Sequence, residues 1–362
     1  MISIEDLRVR YESDRGVVDA VRGVSISVDA GEFYTLLGPS GCGKTTTLRC
    51  LAGLERPTSG RISIGNTVVH DSDRGLAVPT HKRDIGMVFQ SYAIWPHLTV
   101  FENVAFPLRE MRPRIDEAQI VSRVGKALEL VQLSGYESRP APFLSGGQQQ
   151  RLALARAIVR EATVVLFDEP LSNLDAKLRA ETRLELRNLV KRLGMTALYV
   201  THDQTEALTM ADRVAVMRDG EIVQEASPVE IYKHPNSRFV ASFIGQCNFA
   251  SGKVGAIANG AGPGRIETEW GQIRFASPSD VPVGKDVTIA VRPENVTLVS
   301  HGSEDAAAGE VLETVFLGDS VECRVRLGNS DIVARVHPNQ PLGVGDKIGV
   351  VVRPDDVAIL KA

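Results

Sequence analysis

Cysteine is scarce in this 362-residue chain: there are four, Cys42, Cys50, Cys247 and Cys323, with no C-x-x-C spacing among them. That scarcity argues against a disulfide framework or a zinc site and fits a reducing compartment. Long apolar runs are lacking as well, since none approaches the roughly 20 residues that cross a bilayer. The opening residues, Met1 to Asp6, carry acid and no base, unlike the basic start of a secretory leader. The expectation is a chain that stays in the cytoplasm. A net charge of −4 offers no general attraction to nucleic acid or anionic lipid, so no nucleic-acid partner is expected. At 362 residues the chain exceeds the size at which one hydrophobic core stops growing, and two cores are expected.

What is present begins with Gly38-Pro39-Ser40-Gly41-Cys42-Gly43-Lys44-Thr45, a complete G-x-x-x-x-G-K-[ST] loop entered from the apolar run Phe33 to Leu37. Its glycines let successive backbone N–H groups turn inward on phosphate oxygens, and Lys44 reaches the outer phosphates. Thr45 can offer a hydroxyl to Mg²⁺, and Thr46 to Leu51 open a helix whose positive end faces the anion. A nucleoside triphosphate is the ligand these parts fit. Cys42, a thiol inside an electropositive loop, is expected to ionise more readily than a free one.

A second element, Asp168-Glu169, ends the apolar run Val164 to Phe167, at a strand end where parallel sheets bind ligands. Asp168 suits a place beside Mg²⁺, and Glu169, pointing differently, suits polarisation of an attacking water. The third element is Leu144-Ser145-Gly146-Gly147-Gln148, which runs into a helix expected near Gln149. Ser145, Gly146 and Gly147 make another polarised anion site. Two phosphate grips in one chain can serve one nucleotide only if the second comes from a partner copy, so a head-to-tail dimer is expected.

Strand-like runs alternate with helical ones up to about residue 235, which predicts an α/β core with a largely parallel sheet. Asp219-Gly220 predicts a tight hairpin, Glu117 to Leu133 and Gln149 to Arg160 predict helices of an insertion, and Ser237 to Ile244 a short connecting helix. Beyond it, short β-rich runs broken by glycine and proline predict a small barrel or sandwich. Within that region Val291 to Val299 returns as Val352 to Leu360, a duplicated strand–turn unit.

Together these motifs resemble the nucleotide-binding subunit of an ATP-binding cassette (ABC) transporter. The resemblance implies a P-loop NTPase core at 1–240, with a helical subdomain at about 91–160. At 241–362 it implies an OB-like, all-β accessory (TOBE) domain of the kind attached to the ATPases of binding-protein-dependent importers. It also implies the cofactors ATP and Mg²⁺ and assigns residues: Tyr11 stacks on adenine, and Gly38, Pro39, Ser40, Gly41, Cys42, Gly43, Lys44, Thr45 and Thr46 hold phosphates. Ser145, Gly146, Gly147, Gln148 and Asp175 act across the dimer, Thr45, Gln90 and Asp168 hold the metal, and Glu169, His202, Lys44 and Gln90 serve hydrolysis. Asp175 is expected both to cap the helix beginning at Ala176 and to lie at the dimer interface. The implied partners are a second copy, two transmembrane permease subunits and, indirectly, an extracytoplasmic solute-binding protein, at the cytoplasmic face of the membrane. Tyr92 and Trp95 are expected to face a permease helix.

The stretch Tyr92 to Pro96 resembles importers of ferric iron and polyamines more than those of maltose-type sugars, which inclines the reading to iron(III). Polyamine, phosphonate and sugar are the alternatives. A DNA-repair or chromosome ATPase would call for a coiled-coil insertion or a basic face, and neither is visible. The C-terminal region is read as either a regulatory module or a spacer that stabilises the dimer.

Overall fold

The computed structural model describes residues 1–13, 16–255, 264–276, 282–303 and 305–360. It divides into two compact units, Met1–Pro228 and Val229–Ala362. The first is built on a six-stranded sheet whose spatial order is β11 (Glu221–Ala226), β10 (Arg213–Arg218), β3 (Phe33–Leu37), β9 (Thr196–Thr201), β8 (Val164–Asp168) and β7 (Ile85–Val88). All are parallel except β11. Every residue of β3, β8 and β9 is buried, as continuous apolar runs between two layers require. Alternation then divides them: Tyr34, Leu36, Leu166 and Leu198 enter one core, and Phe33, Phe167 and Tyr199 the other.

The first core is covered by α1 (Lys44–Ala52) and a second sheet of order β2 (Gly16–Val28), β1 (Ile2–Ser13), β4 (Ser59–Ile64), β5 (Thr67–Asp71) and β6 (Leu76–Ala77). The other core holds α2 (Val100–Arg109), α3 (Glu117–Leu130), α4 (Gly146–Ile158) and α5 (Ala176–Arg192), while α6 (Gln204–Met210) follows β9. The expected hairpin joins β10 to β11, with Asp219 and Gly220 both left-handed at φ 51° and 85°. Helix α4 starts at Gly146 and not near Gln149. Ser145 is its N-cap, and a serine followed three residues later by glutamine carries a start signal that the glycines obscure.

The second unit holds α7 (Pro228–Lys233), α8 (Arg238–Phe243) and two five-stranded antiparallel sheets. One has the order β14 (Gly271–Phe275), β13 (Gly264–Thr268), β12 (Asn248–Val254), β15 (Asp286–Val291), β21 (Val357–Leu360). The other runs β16 (Val296–Ser300), β20 (Lys347–Val352), β17 (Ala307–Phe316), β18 (Val321–Leu327), β19 (Ser330–Val336). The sequence repeat is a structural one: β15–turn–β16 returns as β20–turn–β21, β15 pairs with β21 and β16 with β20. The turns match, Arg292 at φ −71°, ψ 144° and Arg353 at φ −72°, ψ 144°. The units divide 12 residues before the expected 240/241 boundary. The reason is Arg292, whose Nη1 donates to the carbonyls of Ala241 and Gln246, both at 2.9 Å, and whose Nη2 donates to that of Tyr232 at 3.1 Å. The connecting helices therefore belong with the β unit.

Candidate nucleotide site

Because β3, β7, β8 and β9 run parallel, their carboxyl ends share one edge of the sheet. The residues that follow them are Gly38 to Lys44 after β3, Gln90 after β7, Glu169 after β8 and His202 after β9. Four stretches separated in sequence thus converge, as ligand sites in such sheets do.

In the loop after β3, a Cβ at Gly38 would lie 2.4 Å from the Met217 carbonyl oxygen, and one at Gly43 2.4 Å from that of Ala20. These two glycines are required by the protein's own backbone, a reason the phosphate argument alone did not supply. Gly43 caps α1 in left-handed backbone at φ 102° and, as a glycine, brings no side chain to the first turn. Lys44, 5% exposed, folds back so that Nζ donates to the carbonyls of Gly38 at 2.7 Å and Pro39 at 3.0 Å. Ser40 and Gly41 are exposed at the tip. Cys42 departs from expectation. It is buried, and burial pushes its thiol up against the opposing pull of Lys44, so it is not an acidified thiol. Tyr11, 40% exposed on β1, lies beside Thr46 and Glu55, and partial burial pushes its hydroxyl pKa up.

Thr45 Oγ1 donates to Asp168 Oδ1 at 3.1 Å. Asp168 is 5% exposed, with Arg49 Nη2 4.0 Å away. Burial pushes this carboxyl above the usual range, and the Thr45 hydrogen bond and Arg49 only partly offset it. A hydroxyl and a carboxylate side by side are hard oxygen donors that fit Mg²⁺. Among the described residues no cluster of three or more His, Cys, Asp or Glu could hold a metal. So small a donor set suits an ion that keeps waters and takes phosphate oxygens.

Glu169 has φ 46°, a conformation that costs a non-glycine residue about 1–3 kcal/mol. Its Oε2 lies 3.0 Å from His202 Nδ1. The sequence reading gave these two residues separate tasks; the structure makes them a pair. Gln90 is exposed, and its carbonyl accepts from Asn173 Nδ2 at 2.7 Å, tying β7 to the 172–175 segment.

Ser145 Oγ accepts from Gln148 N at 3.4 Å, and Gln148 Oε1 accepts from Ser145 N at 2.9 Å, completing a capping box. The glycines of this turn approach Leu174 and Leu178: a Cβ at Gly146 would meet Leu174 at 3.6 Å, and one at Gly147 would meet Leu178 at 3.2 Å. Asp175 caps α5, accepting from Leu178 N at 3.0 Å. Sequence reasoning missed Arg179, whose Nη2 donates to the Leu174 carbonyl at 2.9 Å while Nη1 lies 3.5 Å from Asp203 Oδ2. It links the 172–175 segment to the residue after His202. The available signal was helical spacing, Arg179 being one turn beyond the Asp175 cap.

Tyr92 corrects another expectation. It is 8% exposed, inside the helical core, because Tyr92 and Ala93 both take left-handed backbone, at φ 60° and 47°, and turn the ring inward. Trp95 is half-buried, with the Phe106 ring centroid at 4.3 Å and the Arg156 guanidinium at 4.2 Å.

Comparison with known proteins adds families to this geometry. The family described as ABC transporter matches residues 21–172, and the TOBE domain matches 289–360. The spermidine/putrescine import ATP-binding protein of Rubrobacter xylanophilus is 48% identical, over 86% of this chain and 80% of that one. The Fe(3+) ions import ATP-binding protein of Rhizobium etli is 44% identical, over 90% and 89%. The trehalose/maltose import ATP-binding protein of Thermococcus litoralis is 48% identical, over 78% and 76%. Among solved structures, a dimeric ATP-binding cassette in a post-hydrolysis state with ADP and Pi aligns with TM-score 0.55 at 32% identity, covering 63% of this chain and 99% of that one.

Proposed function

The chain belongs to the ABC transporter family as an ATP-hydrolysing import subunit, and on that premise we propose how its residues share the reaction. Lys44 and the loop 38–46 hold the triphosphate, with Tyr11 against the base. Glu169 takes the proton of the attacking water, and His202, bonded to it, senses the outer phosphate. The observation that carries this reading is the Glu169–His202 contact of 3.0 Å at the edge where the phosphate loop also ends. Thr45 and Asp168, with Gln90, are the residues that would hold Mg²⁺, which supplies neutralisation of phosphate charge.

Two copies meet head to tail, each lending Ser145, Gly146, Gly147, Gln148 and Asp175 to the other's nucleotide; the dimeric ADP-bound relative supports this. Two separate permease subunits form the pore and an extracytoplasmic binding protein delivers the solute, with the chain peripheral on the cytoplasmic face. No helix among the described residues is long and apolar enough to cross a membrane. Trp95, beside the exposed ring of Phe106, is the anchor for a permease helix, and Trp95→Ala should weaken co-purification. ATP favours the closed dimer by its differential affinity for that state, and hydrolysis reopens it. The solute is iron(III). A polyamine is the second reading, favoured by the spermidine/putrescine relative's 48% identity. ATPase stimulation by binding protein loaded with iron(III) or with spermidine decides between them.

Glu169→Gln tests the chemistry. ATP binding should persist while turnover falls about 10²–10⁴-fold. Turnover equal to the parent's removes Glu169 from the reaction.

A further inference from the structure

Between the central sheet and its helices lies a cavity of about 280 Å³ that the nucleotide reading leaves unused. Val88, Leu154, Phe167, Leu186 and Leu189 give it apolar walls. Gln150 also lines it, is 4% exposed, and its Oε1 accepts no hydrogen bond. A buried carbonyl oxygen without a donor is unfavourable, and an incoming donor relieves it. On the rim, Arg151 is paired with Glu185 at 2.7 Å and with Gln132 at 2.9 Å, and Glu185 and Arg192, which also line it, are exposed to water; the charges stay at the mouth, and the apolar interior favours an uncharged occupant. An apolar cavity of about 150 Å³ takes one benzene ring; this one has room for a fused pair.

We propose that the cavity is a regulatory binding site for a small, flat, uncharged aromatic molecule that directs one N–H or O–H donor at Gln150 Oε1. Its walls adjoin the chemistry. Phe167 immediately precedes Asp168, and Pro170, another lining residue, follows Glu169. Gln150 lies on α4, the helix that begins at the Ser145 turn, and Leu186 and Leu189 lie on α5, which Asp175 caps. Val88 stands two residues before Gln90. An occupant therefore touches β7, β8, α4 and α5, four of the elements that bear on the nucleotide, and it opposes any shift of α4 and α5 against β7 and β8. ATP turnover falls without competition for the nucleotide. This effect on turnover rests on the proposed catalytic reading; the binding does not.

Indole is the probe, and benzothiophene, the same shape without the N–H, is its control. In ligand-observed NMR titrations of the full chain, indole should bind and benzothiophene should bind about 3- to 10-fold more weakly. Gln150→Leu should erase that difference. Leu186→Phe, which fills the cavity, should abolish both; if it fails to fold, Leu154→Phe does the same from α4. In ATPase assays indole should lower kcat with KM for ATP unchanged. Absence of indole binding, which a cavity holding only water would give, overturns the proposal. So does equal binding of the two probes, or undiminished binding to the filled variants. Binding without any change in kcat overturns the regulatory part alone. A Glu169→Gln chain that hydrolyses normally overturns the catalytic reading and leaves the cavity site intact.

Discussion

Helices α1 and α4 both start from glycine-rich turns. At α1 the N-cap is Gly43, which has no side chain to bond the first turn, whereas at α4 Ser145 and Gln148 close a full capping box. The cap residue of α1 thus brings no acceptor of its own, and a helix start of this kind suits an external one. At α4 the chain supplies its own acceptor, although the Ser145 Oγ to Gln148 N separation of 3.4 Å is long. A cap of this kind is worth about 1 kcal/mol, and an anion arriving at the Ser145 turn must displace or share it. The difference implies an order of events. On the proposed assignment, the phosphate loop would be ready for nucleotide in a single chain, while the Ser145 turn would engage only a phosphate that another loop already holds. Dimer closure then follows binding.

The largest effect that could break this comparison is at Gly43. Alanine there must hold φ 102° with its Cβ 2.4 Å from a backbone oxygen. Left-handed backbone alone costs about 1–2 kcal/mol, so with the clash the loss of ATP affinity should be on the order of 100-fold. In Gly146→Ala the new Cβ meets Leu174 at 3.6 Å, an ordinary contact, so single-chain ATP affinity and Tm should match the parent while dimer turnover falls. Equal ATP affinities for the two variants in a nucleotide-binding titration would erase the distinction between the turns.

Ser145→Ala sharpens it on a smaller scale. Losing the cap should cost about 1 kcal/mol of stability, roughly 2–4 °C in Tm or less for a chain of this length. Single-chain ATP binding should not change. A melting temperature equal to the parent's would mean that the long Ser145–Gln148 bond contributes nothing to α4.

Much of this contrast was legible in the sequence. The loop 38–45, the buried strand Phe33–Leu37, the Asp219-Gly220 hairpin and the Val291/Val352 repeat are local patterns, and local patterns survive folding. What stayed hidden depended on contacts between distant segments. Gly38 and Gly43 are fixed by Met217 and Ala20, Arg179 matters through Asp203, and the unit boundary moves because Arg292 reaches back to Tyr232 and Ala241. The inward Tyr92 was unreadable for another reason: two successive non-glycine residues with positive φ contradict local preference. The capping box is a local pattern too, a serine and a glutamine three apart around the glycines at 146 and 147, and those glycines, read as a phosphate grip, mask it.

The smallest effect concerns Asp168, which receives the hydroxyl of Thr45 from the first turn of α1. Burial raises its carboxyl pKa above the ordinary value of 3.8. A raised pKa means the folded chain prefers the protonated acid, so the associated stability is complete below 3.8 and lost as pH rises through the folded value. At neutral pH the buried carboxylate is therefore a liability in the nucleotide-free chain. Asp168→Asn should melt above the parent at pH 7, with the difference shrinking as pH is lowered toward 3.8, while ATP hydrolysis is lost. A parent that melts higher at pH 7 would show that Thr45 and Arg49 outweigh burial. The expected sign makes Asp168 a charge held out of water at a cost to the free protein, a cost that the proposed metal and phosphates would offset.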